Sequence, residues 1–296
     1  MSGKNYREVE KSIHTDLRDR LTYSKYLNLD EILNAQHTLS DEHDEMLFII
    51  IHQASELWLK LAGHEVEAAI RNVQDDNFRQ AFKVIARVKL ILTQLVQSWS
   101  ILSTMTPVDY LKFRDVLGPA SGFQSYAYRK LEFLLGNKNR RLVDVHRHDQ
   151  AVFDELTRVL EAPGLYDVVL RKLDEKGFEI DAGWLDRDFS QPYEANDSVQ
   201  RAWAAIYSDP DKHFELYELG EKLVDIEDAF QLRSDTGEIA VTFDAKVFDT
   251  VRSLFTKSQN FVDNAADPTQ VVDPGAMNSR PDGRRSQSFS FRFRED

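Results

Sequence analysis

Residues Ser40–Val73 read SDEHDEMLFIIIHQASELWLKLAGHEVEAAIRNV, and this stretch decides the fold. It predicts one long helix. Ser40 is a good N-cap, because its hydroxyl can accept from an orphan N–H of the first turn. Asp41, Glu42, Asp44 and Glu45 place negative charge at the positive end of the helix dipole. No proline interrupts the run, and the single Gly63 costs only about 1 kcal/mol against alanine in a helix interior. Met46–Ile51 is apolar on every side, which predicts burial all round. His52 ends that apolar run. Phe48 and His52 stand four apart and so share a face. Two readings of His52 compete. It is a core histidine satisfied by a hydroxyl or a carbonyl, the commoner case, or a pocket group that touches a ligand, since a buried polar group needs a partner.

Working outward, the helical period continues. Asp76–Thr104 carries Phe78, Phe82, Ile85, Val88, Ile91, Leu92, Leu95, Trp99 and Leu102 at three- and four-residue steps, a core stripe. The short turn at 74–77 predicts that the two long helices pack antiparallel. Thr106–Leu117, TPVDYLKFRDVL, opens with an N-cap, a proline at the first helical position and an acid in the first turn. It carries Tyr110 and Arg114 four apart on one face. A lone arginine is most often a solvated charge or an ion-pair partner; its sharper use is a bidentate clamp on a carboxylate ligand. Further helices are expected at Phe123–Gly136, Leu142–Leu160, Leu165–Leu173, Ser198–Tyr207 and Asp211–Leu232, with Glu179–Pro192 irregular. His146 and His148 stand two apart, a poor spacing for a metal pair on a helix. Toward the N-terminus, Leu21–Leu33 is a short aromatic and aliphatic packing segment with Tyr23 and Tyr26 on one face. After Leu232 the character changes. Glu238–Phe243 reads as a short strand, Lys246–Phe261 as one more amphipathic helix, and the polar run from Asp263 as a disordered tail. The domain reading is a helical unit over 1–233 and a divergent segment over 234–296.

The totals set bounds. The chain has 296 residues, 42% of them hydrophobic and 29% charged, as expected of a soluble globular protein. A net charge of −13 argues against a nucleic-acid partner. Cysteine is absent, so no thiolate can serve as metal ligand or nucleophile. The first twenty residues are charged and hold no apolar run, which predicts no secretory leader, and Met46–Ile51 is too short to span a membrane. A cytoplasmic location is the expectation.

Several blocks carry a resemblance. LTYSKYL (21–27), HDEMLFIIIHQASELWLK (43–60), FRDVLGPASGFQSYAYRKLEFLLGNKN (113–139), EAPGLYD (161–167) and GEKLVDIEDAFQL (220–232) together resemble tryptophan 2,3-dioxygenase over roughly residues 8–232. The resemblance implies an all-α helical bundle, a haem b cofactor and a homotetramer. It implies insertion of both atoms of O₂ across the indole C2–C3 bond of L-tryptophan, giving N-formylkynurenine. Carried over by residue, it makes His52 the distal histidine that hydrogen-bonds the indole N–H. Phe48 becomes the aromatic residue by the substrate, Arg114 the partner of the substrate carboxylate, and Tyr110 the tyrosine beside it. Tyr23 becomes a residue that closes a neighbouring subunit's pocket.

The resemblance stops at Leu232. In the family, FQL continues with a Trp-Arg pair, then the histidine that ligates the haem iron, then a Gly-Thr-Gly-Gly loop. Here FQL is followed by Arg233-Ser234-Asp235-Thr236-Gly237, Gly237 stands in the place of the ligand histidine, and no histidine follows His213. The residue that would bind the metal is unknown from the sequence. Three readings stay open: a frameshifted or mis-joined C-terminal part, a member that keeps the amino-acid pocket but holds haem weakly or not at all, and haem held by an unexpected donor such as Met277 or a tyrosine. The rivals from other classes are a non-enzymatic tryptophan-binding or oligomer-partner subunit and a helical scaffold without a ligand.

Overall fold

The computed structural model describes Ile13, Leu17 and residues 20–235, the last six as backbone alone. Every regular element among the described residues is helical, so the all-α expectation holds. The strand expected at Glu238–Phe243, the helix at Lys246–Phe261 and the tail from Asp263 lie outside the described residues.

Two short helices, α1 (Tyr23–Leu27) and α2 (Leu29–Ile32), precede the long α3 (His43–Gln74). The start of α3 corrects the sequence reading. Its N-cap is Glu42, which makes no side-chain cap bond, and Ser40 lies in the loop before it. The Glu45 carboxylate reaches back to accept from the Leu39 N–H (2.7 Å), the Ser40 N–H (2.8 Å) and the Ser40 hydroxyl (2.6 Å), and the Ser40 hydroxyl oxygen accepts from the Glu42 N–H (3.3 Å), which ties the serine to the loop one turn early. Those bonds, the Leu39 N–H foremost, hold the Glu45 carboxyl below its ordinary pKa. The apolar run is not buried all round either. Ile51 is 7% exposed, but Met46 is 39% and Ile50 46% exposed. Among the described residues no element covers that face.

α3 turns at 75–77 into α4 (Phe78–Leu102). Asp76 takes a positive φ of 55° there, with its carboxylate held by Lys172 (3.2 Å) and Lys176 (2.7 Å). The two helices pack antiparallel, as expected. Arg87 pairs with Glu65 part-way along the two helices, and Trp99 meets His52 farther from the turn. Ala62, Val66, Ala69 and Val73 of α3 face Ala81, Ile85, Val88, Leu92 and Leu95 of α4 in the core, all fully buried.

α5 (Pro107–Arg114) ends in a 3-10 turn at Asp115–Leu117, and a second 3-10 turn at Gly122–Gln124 leads to α6 (Tyr126–Leu135). Gly136 closes α6 at φ 109°, as its C-cap role requires. α6 lies on α3: Lys130 bridges Glu67 of α3 (3.0 Å) and Glu155 (2.8 Å). The helix expected over Leu142–Leu160 is two, α7 (Arg140–Asp144) and α8 (Gln150–Glu161). Asp149 divides them, because its side chain accepts from the Ala151 and Val152 N–H groups and starts α8. α9 (Leu165–Glu175), α10 (Ala182–Leu185, inside the segment expected to be irregular) and α11 (Asp197–Ser208) follow.

α12 (Phe214–Asp235) runs three residues past its expected end and packs along α4. Its direction is fixed by three contacts. Lys176 lies 5.6 Å from the Phe78 ring at the start of α4, and Phe178, two residues on, lies 5.2 Å from the ring of His213. Farther along, Lys89 of α4 bonds Asp225 of α12 (2.7 Å) at an offset of 136 residues. α12 therefore runs with α4, and on that offset its last residue, Asp235, comes level with Trp99.

Candidate functional site

α3 sets Phe48 and His52 one turn apart, and their rings lie 4.1 Å apart between centroids. His52 Nδ1 is 2.7 Å from the Phe48 carbonyl oxygen. A carbonyl only accepts, so Nδ1 carries the proton and Nε2 is left with a lone pair. The helix thus fixes the tautomer of its own histidine. The first reading of His52, a histidine satisfied by a carbonyl, is met in part. The side chain is satisfied by a backbone carbonyl at one nitrogen and only half-buried, with the other nitrogen an acceptor.

α5 brings the second set of groups. Its start is held by a capping box in which Thr106 Oγ1 accepts from the Asp109 N–H (3.2 Å). The Thr106 hydroxyl and the Lys112 ammonium hold the Asp109 carboxyl below its usual pKa. That anchored helix places the Tyr110 ring 5.9 Å and the Phe113 ring 5.7 Å from Phe48, with Tyr110 and Phe113 edge-on to each other at 5.5 Å. From α4, Trp99 meets His52 edge-on at 5.5 Å and 83°. Three helices, α3, α4 and α5, therefore converge on one aromatic cluster.

Arg114 stands one turn after Tyr110 on α5. Its Nη1 donates to the Gly118 carbonyl (2.9 Å), and among the described residues no carboxylate pairs with it. Gly118 has φ 55° and ψ −132°, a conformation that requires glycine, and it is this turn that presents its carbonyl to Arg114. One guanidinium edge is thus used to fix the side chain, and the remaining donors stay available for a bidentate partner. Tyr23 is different. It sits on α1 at 75% exposure, Tyr26 beside it at 73%, and within one chain neither joins the cluster.

His52 also borders a cavity of about 760 Å³ between α3, α6 and the loop after α2. Gln53, Glu56, Leu59, Gly63, Tyr126 and Lys130 are among its walls. Tyr126 donates to Glu155 (2.8 Å), and burial, with that carboxylate, raises its pKa.

Two members of the cluster were not foreseen as site residues. Trp99 belongs to a stripe whose spacing reads as core, and Phe113 is a fully buried neighbour of Arg114. Period alone cannot separate a core indole from a pocket wall. The separating feature is three-dimensional: the Trp99 ring meets His52 edge-on at 5.5 Å. His146 and His148 lie in the turn between α7 and α8, where their rings stack 6.4 Å apart. Burial lowers the pKa of His146. Among the described residues no group of three metal-binding side chains gathers, and no helix is long and apolar enough to cross a membrane.

The site lies within the part of the chain that known proteins share. The family profile described as tryptophan 2,3-dioxygenase matches residues 7–163. A tryptophan 2,3-dioxygenase of Shewanella woodyi is 63% identical over 227 residues, 77% of this chain and 79% of the relative. Those of Geobacillus thermodenitrificans (51%) and Bacillus anthracis (50%) are matched over 223 residues, 75% of this chain and 80% of each relative. At such identity, over more than three quarters of each relative, the chain belongs to the tryptophan 2,3-dioxygenase family.

Proposed function

We propose that this chain binds L-tryptophan at the Phe48–His52–Tyr110 cluster and serves the reaction of its family, opening of the indole C2–C3 bond by O₂ to N-formylkynurenine. The observation that carries the binding is the pairing of an acceptor with aromatic walls. An indole offers a flat apolar body and one N–H donor. Phe48, Tyr110, Phe113 and Trp99 supply walls, and His52, with its proton held on Nδ1, supplies an acceptor at Nε2. Arg114, fixed by Gly118 and paired with no carboxylate among the described residues, supplies the fork for the amino-acid carboxylate. A substrate lacking either group leaves a buried partner unsatisfied, which is how such a site selects. In this reading Tyr23 acts on a neighbouring copy. Its exposure, with that of Tyr26, Leu33, Val108 and Leu111, supports a homo-oligomer, a tetramer by resemblance. The setting is the cytoplasm.

Haem b is the cofactor the resemblance implies, and among the described residues no histidine besides His52 stands at the cluster to hold it. Haem needs an axial donor from histidine, cysteine, tyrosine or methionine. Cysteine is absent. His64 lies twelve residues along α3 from His52, roughly 18 Å up the helix. His146 and His148 stack on each other, and His213 packs on Phe178 near the opposite end of α4. His37 and His43 are exposed, before and at the start of α3, and His14 lies outside the described residues. No step at oxygen is therefore derived from this chain. Its residues bind, orient and hold a proton at His52 Nδ1. That donor content favours a second reading, a tryptophan-binding family member without the oxidative step. The deciding experiment supplies haemin, reductant, O₂ and L-tryptophan to the purified full chain and looks for N-formylkynurenine. Product supports the first reading; tryptophan binding without product supports the second.

A further inference from the structure

α11 and α12 bring three oxidisable rings and a carboxylate together away from the cluster at His52. Trp203 and Tyr207 stand one turn apart on α11, and Tyr217 and Glu221 one turn apart on α12, so each pair shares a helix face. The two faces meet. The Tyr207 ring lies 6.4 Å from that of Trp203 and 5.1 Å from that of Tyr217, steeply inclined to both. The Tyr207 hydroxyl donates to Glu221 Oε1 at 2.7 Å. Trp203 is fully buried, and Tyr207, Tyr217 and Glu221 are half-buried. Tyr217 stands one turn past His213, which places the group near the end of α4 opposite Trp99.

Cysteine, the side chain most readily oxidised, is absent from the chain. Methionine is oxidised by gaining an oxygen atom. A one-electron vacancy therefore settles on a phenol or an indole. A phenol gives up an electron most easily when its proton can leave at the same moment to a neighbouring base. Tyr126 also donates to a carboxylate, Glu155 (2.8 Å), but the Lys130 ammonium holds that carboxylate too (2.8 Å) and keeps its pKa low, which makes it a poor base. Glu221 has no ion-pair partner among the described residues, and the adjacent Lys222 turns to Asp225 instead (3.5 Å). Burial first, and then the Glu221 carboxylate, push the Tyr207 phenol well above its ordinary pKa, so it keeps its proton until it is oxidised.

We propose that Tyr207 is a one-electron oxidation site of this chain, with Glu221 as its proton acceptor and Trp203 and Tyr217 as the rings that pass the vacancy to it. The co-reactant is an outer-sphere one-electron oxidant at the protein surface. Tyr207 loses one electron, its O–H bond breaks, and the proton passes along the existing hydrogen bond to the Glu221 carboxylate. The products are a neutral phenoxyl radical, a neutral carboxyl and an oxidant reduced by one electron. A vacancy formed first on Trp203 or Tyr217 is filled by that same electron.

The test is flash photolysis of the purified full chain with ruthenium tris-bipyridyl and a cobalt(III) ammine quencher, read by absorption and electron paramagnetic resonance. A tyrosyl radical spectrum is expected, rising more slowly in heavy water. Tyr207→Phe is expected to lose most of it. Glu221→Gln keeps an acceptor oxygen and the bulk but not the base, and is expected to lose most of it as well. Tyr126→Phe is expected to keep it. Absence of a tyrosyl spectrum overturns the proposal. So does a full signal in Tyr207→Phe or in Glu221→Gln, or a loss in Tyr126→Phe as large as in Tyr207→Phe. The solvent comparison needs no variant: a rise equally fast in light and heavy water overturns the proposal on the native chain alone.

Discussion

Replacing His52 by leucine tests the role of its free nitrogen. The Phe48 carbonyl that accepts from His52 Nδ1 at 2.7 Å keeps its helical N–H partner, so the backbone is not left unsatisfied. Leucine is also apolar and of similar bulk, so the walls around Phe48 and Trp99 stay filled. What disappears is the acceptor at Nε2. An indole N–H buried without a partner costs about 1–3 kcal/mol, which is a loss of roughly 5- to 150-fold in affinity for L-tryptophan. The control is tryptophan methylated on the indole nitrogen, which has no proton to donate. The two ligands are titrated calorimetrically into both proteins, and the cross term isolates the hydrogen bond from lost stacking. The native chain is expected to prefer the unmethylated ligand and the variant to lose that preference. Equal losses for both ligands, or none for either, refute the assignment of Nε2 to the indole.

Three further outcomes follow from other residues. An added Cβ at Gly63 would stand 3.9 Å from Leu134 Cδ1, an ordinary contact, so Gly63→Ala is expected to stabilise by about 1 kcal/mol through helix propensity, read as a higher urea midpoint. At Gly164 the added Cβ would meet the Leu134 and Phe133 carbonyl oxygens at 3.1 and 3.3 Å, and Gly164→Ala is expected to destabilise by about 1–3 kcal/mol in the same assay. Lys138 is buried with its ammonium on the Val159 and Ala162 carbonyls (2.9 and 2.8 Å), and burial lowers its pKa to about 8. The unfolded chain, with a lysine pKa near about 10.5, then binds more protons between the two values, so stability rises with pH there. Between about pH 7 and about pH 9.5 the native chain should gain about 2 kcal/mol relative to Lys138→Met, and a flat difference in the urea midpoints would refute the assignment.

The period of the apolar residues exposed the long helices and their antiparallel packing, because α3 and α4 each keep an unbroken stripe toward the core. What periodicity could not show was competition for the same groups. Ser40 has every mark of an N-cap, yet Glu45, five residues on, claims its hydroxyl and its N–H. Asp149 ended one helical pattern and began another inside a run that reads as continuous. Met46 and Ile50 look like core and are exposed, since the burial of an all-round apolar segment depends on what covers it. The nearness of Phe48 to His52 was legible from their four-residue spacing, and the structure adds Tyr110 to that pair. Trp99 was hidden in a stripe that served the core equally well, and the order of α12 along α4 needed coordinates.

The proposed site sets the indole of L-tryptophan at His52 and its carboxylate at Arg114. The most direct measurement is calorimetric titration of the native chain and of Arg114→Gln with L-tryptophan and with tryptamine, which has the same indole and amine but no carboxylate. Loss of a charge-assisted pair is expected to weaken L-tryptophan by about 1.5–3 kcal/mol and to leave tryptamine unchanged. If both ligands respond alike, or if the native chain does not distinguish them, Arg114 does not hold the carboxylate and the site is wrongly assigned.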